Sequence, residues 1–134
     1  NNNETFSLGD FKILRENKND HVVLIGAGIT LHECIKAADI MINVAVIDLF
    51  CIKPFNNKKF VHFIETHGNR AVVVEDHFIE GGIGEMIMGG LNGTEIKIKH
   101  LGIPENPHSG KPDQLLKKYG IDQESIINAV NEKW

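Results

Sequence analysis

Arginine is scarce in this chain. Its 134 residues hold two arginines against twelve lysines. That disfavours dense bidentate phosphate recognition, because only guanidinium offers the planar fork. Positive charge is in deficit too, with a formal net charge of −4. There is thus no basic footprint for nucleic acid and no polybasic patch for a membrane surface. No apolar run approaches the roughly 20 residues of a membrane span. No secretory signal is visible. Cysteine is limited to Cys34 and Cys51, both in apolar surroundings. Buried, reduced thiols are expected there, and a disulfide framework is not. Repeats and low-complexity tracts are absent. What remains, 42% apolar and 24% charged residues, is enough for one soluble domain with a real core.

The chain is organised around Arg70 to Met88, RAVVVEDHFIEGGIGEMIM. Ala71 to Val74 reads as a strand buried on both faces, as in a parallel sheet. Glu75-Asp76-His77 is expected to end it, since lone charges are costly to bury. Gly81, Gly82 and Gly84 make an elbow, and a helix is predicted to start near Ile83. Gly89-Gly90 and Asn92-Gly93 should end that helix early.

The other elements follow in order. Residues 1 to 10 read as a linker remnant. Phe11 to Leu14 is a short strand with Phe11 and Ile13 on one face. Val22 to Ile25 is a buried strand. Thr30 and Glu33 form a T-x-x-E capping box that predicts a helix from Leu31, with Leu31, Cys34, Ile35, Ala38 and Ile42 inward. Val44 to Ile47 is the next strand, ended by Asp48. Asn56 caps a helix with Phe60, Phe63, Ile64 and His67 inside, closed by Gly68. Glu95 to His100 is the fifth strand. A loop holds Pro104, Pro107 and Gly110. Pro112 opens a short helix with Leu115, Leu116 and Tyr119 inside. Asp122 caps a last one with Ile126, Ile127 and Val130 inward. Such alternation predicts an α/β sandwich with a mostly parallel sheet.

Two glycine elbows invite functional readings. Gly26-Ala27-Gly28 follows a strand, and Asp48 ends the next one. The full dinucleotide fingerprint fails at Leu31, so the glycines serve chiefly a tight turn and close helix–sheet packing. Glu75, Asp76, His77 and Glu80 have the chemistry of an acid/base or metal cluster. Thiolates are missing, so their spacing is not that of a structural zinc site. Acidic residues also suit a helix N-terminus. Gly81 to Gly84 lacks the Lys and Ser/Thr of a P-loop. The seven histidines do not cluster, and no Ser or Cys sits on a nucleophile elbow. The residues alone leave two functional classes open: a non-catalytic structural domain, or a module binding an anion or nucleotide at Gly26, Gly28 and Thr30 or at Gly81 to Gly84.

Taken together, IGAGITLHE (25–33), VIDLFCIKP (46–54), VVEDHFIEGGIGE (73–85) and SGKPDQLLKKYGI (109–121) resemble the C-terminal domain of transketolase, with animal-type enzymes the nearest. The likeness runs from about Phe11 to Val130. It implies a three-layer α/β/α sandwich with a five-stranded mixed sheet whose first strand is antiparallel, spanning residues 11–134. It implies a cytoplasmic parent that transfers a two-carbon ketol unit between sugar phosphates in the pentose phosphate pathway. Thiamine diphosphate and Mg²⁺ or Ca²⁺ would be that parent's cofactors. The resemblance places none of the catalytic, cofactor or metal residues in this domain. It implies a structural role, with the other two domains and a second subunit as partners. Glu75, Asp76, His77, Glu80, Gly81, Gly82 and Gly84 are then expected at a domain or subunit interface. The G-D-G…N-N thiamine signature is absent from the sequence. Between Ile40 and Val44 the family has about five more residues. Residues are therefore expected to be missing between Met41 and Ile42; with a normal peptide bond there, the helix would instead end early, near Ala38.

Overall fold

The computed structural model describes residues 7–51, 53–104 and 109–134. The expectations for residues 1–6 and for Pro107 lie outside the described residues. Ten elements follow in order: β1 (Lys12–Arg15), β2 (Val22–Gly26), α1 (Ile29–Ile40), β3 (Val44–Asp48), α2 (Asn57–Thr66), β4 (Arg70–Phe78), α3 (Ile83–Gly90), β5 (Lys97–Ile103), α4 (Pro112–Lys118) and α5 (Gln123–Asn131).

The sheet order is β1-β3-β2-β4-β5. Among the described strands only β1 runs antiparallel, against β3. The family's five-stranded mixed sheet is thus what the chain forms. The strands are apolar without alternation because helices cover both faces. Val22, Leu24, Val46, Val72 and Val74 face α1, α4 and α5. Val23, Ile25, Ile47, Ala71 and Val73 face α2 and α3, packing on Phe60, Ile64 and Ile87. Chain direction reverses between β2 and β4: α1 leads from β2 to β3 on one side, and α2 leads back to β4 on the other. That places the topological switch point at the carboxyl ends of β2 and β4, where open α/β sheets keep their ligands.

Several expectations need correction. The fourth strand does not stop at Glu75 but continues to Phe78. Glu75 is buried at 3% exposure because it is fully partnered, as described below. No capping box forms at α1. Gly28 is the cap, at φ 60°, and the helix starts two residues before Leu31. The Thr30 hydroxyl goes instead to the Val74 carbonyl at 2.7 Å. The Glu33 carboxylate turns to Lys36 and to the Gln123 N–H on α5. Tertiary partners took both members of the box. Ile42 lies beyond α1 and is 80% exposed, so Ala37 takes its place on the inner face. Phe11 is buried, but Ile13 is half-exposed on an edge strand whose register shifts after it. The fifth strand begins two residues late and extends to Ile103, opposite Phe78.

Other expectations hold. Asn56 caps α2 by accepting the Lys59 N–H, and Asp122 caps α5 by accepting the Ser125 N–H. Pro112 opens α4. Both cysteines are free thiols; Cys34 is buried, while Cys51 is half-buried. The connection between α1 and β3 departs from expectation, taking three residues, 41–43. Asn43 supplies a left-handed turn at φ 62°, and its carbonyl accepts the His21 N–H. The helix therefore runs on to Ile40 rather than ending near Ala38.

Candidate functional site

A cleft of about 620 Å³ opens at the switch point, within the volume range of small-molecule pockets. Its walls come from four places, one of them Lys53 in the loop after β3. Ala27 belongs to the turn between β2 and α1. Asp76 and His77 sit at the end of β4. Gly82, Ile83 and Met86 come from the head of α3.

One side chain shapes this end of the sheet. The parallel register sets His100 of β5 opposite Val73 of β4. Glu75 lies two residues beyond Val73, so it projects from the same face, the one that α3 covers. Its carboxylate accepts the N–H of Ile83 and, at 2.9 Å, that of Gly84. These are two of the donors that a helix start leaves unpaired. It also pairs with His100 Nε2. A carboxylate only accepts, so that nitrogen is the donor of the pair. Nδ1 is buried with no hydrogen-bond partner among the described residues.

The glycine pattern follows from this carboxylate. A Cβ on Gly82 would collide with Glu75 Oε1, and one on Gly84 would lie 2.5 Å from the His100 ring. Neither position tolerates a side chain while Glu75 stays seated. Gly81, at φ 75°, turns the chain into the helix, and its N–H donates to Glu85 one turn ahead.

The residues singled out from sequence therefore divide. Glu75 and Gly84 are internal and Gly82 is half-buried. Asp76, His77, Glu80 and Gly81 are exposed along the rim, beside Phe78 at 41% exposure. His100 escaped the sequence reading because 25 residues separate it from Glu75. The available signal was the charge itself: an acidic residue on a buried strand requires a partner on the neighbouring strand.

At the other elbow the Thr30 side chain is turned into the fold. Its hydroxyl is fully buried, bonded to Val74 and accepting the Ala27 N–H at 3.2 Å. A Cβ on Gly26 would lie 2.7 Å from Leu31 Cα, so that glycine permits α1 to press on the sheet. Gly28 is exposed, with open space where a Cβ would stand.

The comparisons with known proteins agree on one kinship. The family model described as transketolase, C-terminal domain, matches residues 9–126. The transketolase of Homo sapiens is 43% identical over 135 aligned positions, covering 97% of this chain and 22% of that protein. Transketolase-like protein 1 of Bos taurus is 40% identical over 132 positions, covering 95% and 22%. A solved structure described as a split gene transketolase, inactive beta4 tetramer, superposes with a TM-score of 0.84 at 25% identity. That match takes in 93% of this chain and 42% of the other. Transketolase from Campylobacter jejuni gives 0.67 at 17% identity, covering 94% and 20%, which is a likeness of fold. This chain spans about a fifth of the length of the curated relatives it matches.

Proposed function

The chain belongs to the transketolase C-terminal domain family, and from that premise we propose that it serves as the assembly domain of a longer ketol-transferring enzyme. The observation that carries the reading is the disproportion in length: nearly all of this chain aligns with about a fifth of each transketolase. The parent would transfer a two-carbon ketol unit between sugar phosphates in the cytoplasm, within the pentose phosphate pathway. It would use thiamine diphosphate and a divalent metal, Mg²⁺ or Ca²⁺.

The residues of this domain do not fit that cofactor pair. No three His, Cys, Asp or Glu side chains converge to hold a metal ion among the described residues. The donors at the head of α3, which would suit a diphosphate, already hold Glu75. No step of the transfer is derived through these residues. The role that remains is structural. The rim of Asp76, His77, Phe78 and Glu80 is the face we assign to neighbouring domains or to the second subunit of a homodimer. The donors that Glu75 occupies at the head of α3 speak against the alternative of a nucleotide module there.

The test is calorimetry of the isolated chain with thiamine diphosphate and Mg²⁺, beside a ketol-transfer assay. No heat of binding and no turnover are expected. Micromolar binding or turnover by this chain alone overturns the reading.

A further inference from the structure

Residues 91–94 close a tight turn between α3 and β5. The Thr94 N–H donates to the Leu91 carbonyl at 3.0 Å, and the Thr94 hydroxyl donates to it at 2.7 Å. Asn92 and Gly93 stand at the tip, both exposed. Asn92 is the only asparagine of the chain that glycine follows. Gly93 sits at φ 84°, and nothing beyond its chain neighbours lies within 4 Å of where a Cβ would stand. Neither the Asn92 side chain nor the Gly93 N–H makes a hydrogen bond among the described residues. Other asparagines are held or shielded. Asn57 donates its amide to the Gly90 carbonyl, and Asn56 caps α2. Asn43 is followed by the buried, branched Val44. At Asn92 alone does an unbonded backbone nitrogen without a neighbouring Cβ adjoin an exposed carboxamide, among the described residues.

We propose that Asn92–Gly93 is a self-modifying site, at which the native chain deamidates and isomerises without an enzyme. The Gly93 nitrogen, its proton passed to water or hydroxide, attacks Asn92 Cγ. The N–Cγ bond forms, the Cγ–Nδ2 bond breaks, and the leaving nitrogen takes up a proton and departs as ammonia. The ring that results is a succinimide. Water opens it at Cγ to give aspartate, or at the main-chain carbonyl of residue 92 to give isoaspartate. Either product adds a negative charge beside the carbonyl end of α3, where the helix dipole disfavours it. Isoaspartate also inserts a methylene into the main chain of the turn. That draws Thr94 away from Leu91, a core residue, and loosens the step from α3 into β5. The molecule therefore loses stability as it ages. This inference stands independently of the assembly role.

The purified chain is aged in mildly alkaline buffer, with mildly acidic buffer as the control. Peptide mapping by mass spectrometry follows each asparagine. An isoaspartyl methyltransferase with S-adenosylmethionine reports isoaspartate. Asn92 is expected to convert many-fold faster than any other asparagine, faster in alkaline than in acidic buffer, with isoaspartate among the products. Asn92→Gln should fold as wild type does and lose the fast conversion, because its side chain would have to close a larger ring. Aged wild type should melt below fresh protein, and aged Asn92→Gln should not. Conversion of Asn92 no faster than that of Asn57 overturns the proposal. A fast conversion that persists in Asn92→Gln does so too, as does fully converted wild type that melts with the fresh protein.

Discussion

Glu75 is the residue on which this end of the molecule depends. Removing its side chain leaves buried donors unsatisfied, which typically costs about 1–3 kcal/mol for each. Replacing Glu75 by Ala orphans two N–H groups of α3 and Nε2 of His100, so a loss of about 3–5 kcal/mol in urea unfolding is expected. A loss below about 1 kcal/mol would contradict the geometry. The buried thiol offers a second test. Burial, with the nearby Glu33 charge as a lesser cause, pushes the Cys34 thiol from its ordinary value of 9.0 up to about 12. The unfolded chain therefore releases this proton first as pH rises. The contribution of Cys34 to stability is intact below about 9 and is lost progressively toward about 12. Replacing Cys34 by Ala should flatten the fall in stability over that window. At pH 8 a thiol reagent should label half-buried Cys51 readily and Cys34 only at the rate of unfolding. Two thiols reacting at equal rates would refute the burial.

Among elements, α3 carries an internal contrast. Two consecutive glycines end it, which costs helix propensity at each. They are not equivalent. The Gly90 carbonyl accepts Asn57 Nδ2 at 2.7 Å, and a Cβ at that position would strike Asn57 Oδ1. A Cβ at Gly89 would meet nothing within 4 Å. Gly89→Ala should therefore raise stability by about 0.5–1 kcal/mol and Gly90→Ala should lower it, both read by chemical denaturation. Equal effects would mean that α3 does not lie against Asn57. At the start of α2, Asn56→Ala should cost about 1 kcal/mol through its lost cap.

For the whole molecule, the two-layer cover of helices explains why so much of the fold was legible. A strand buried on both faces must be apolar throughout, so β2, β3 and β4 announced themselves as short β-branched runs. The caps at Asn56 and Asp122 are contacts within three residues and could be read locally. The candidate site was legible only in part. The motif loop was found, but its two internal members were grouped with its exposed ones, because Glu75 and Asp76 look alike in sequence. An assembly role for the exposed members predicts that charge reversal at Asp76 and Glu80 in a full-length parent disrupts subunit association without unfolding this domain. Sedimentation checks the first and circular dichroism the second. Intact association in the doubly reversed enzyme would remove this face from the interface.

By itself the sequence determined the element order, the sheet's apolar strands, the local caps and the family, each carried by short patterns of side chains. The tertiary structure decided which polar groups are buried. Thr30 and Glu33 had a local capping box available and yielded it to Val74, through a buried bond, and to Gln123, through a partly buried one. Glu75 had the composition of a loop residue and became a strand residue, because His100 and the head of α3 met it there. Buried polar groups are held by partners far along the chain, and a linear pattern does not record which distant partner will arrive.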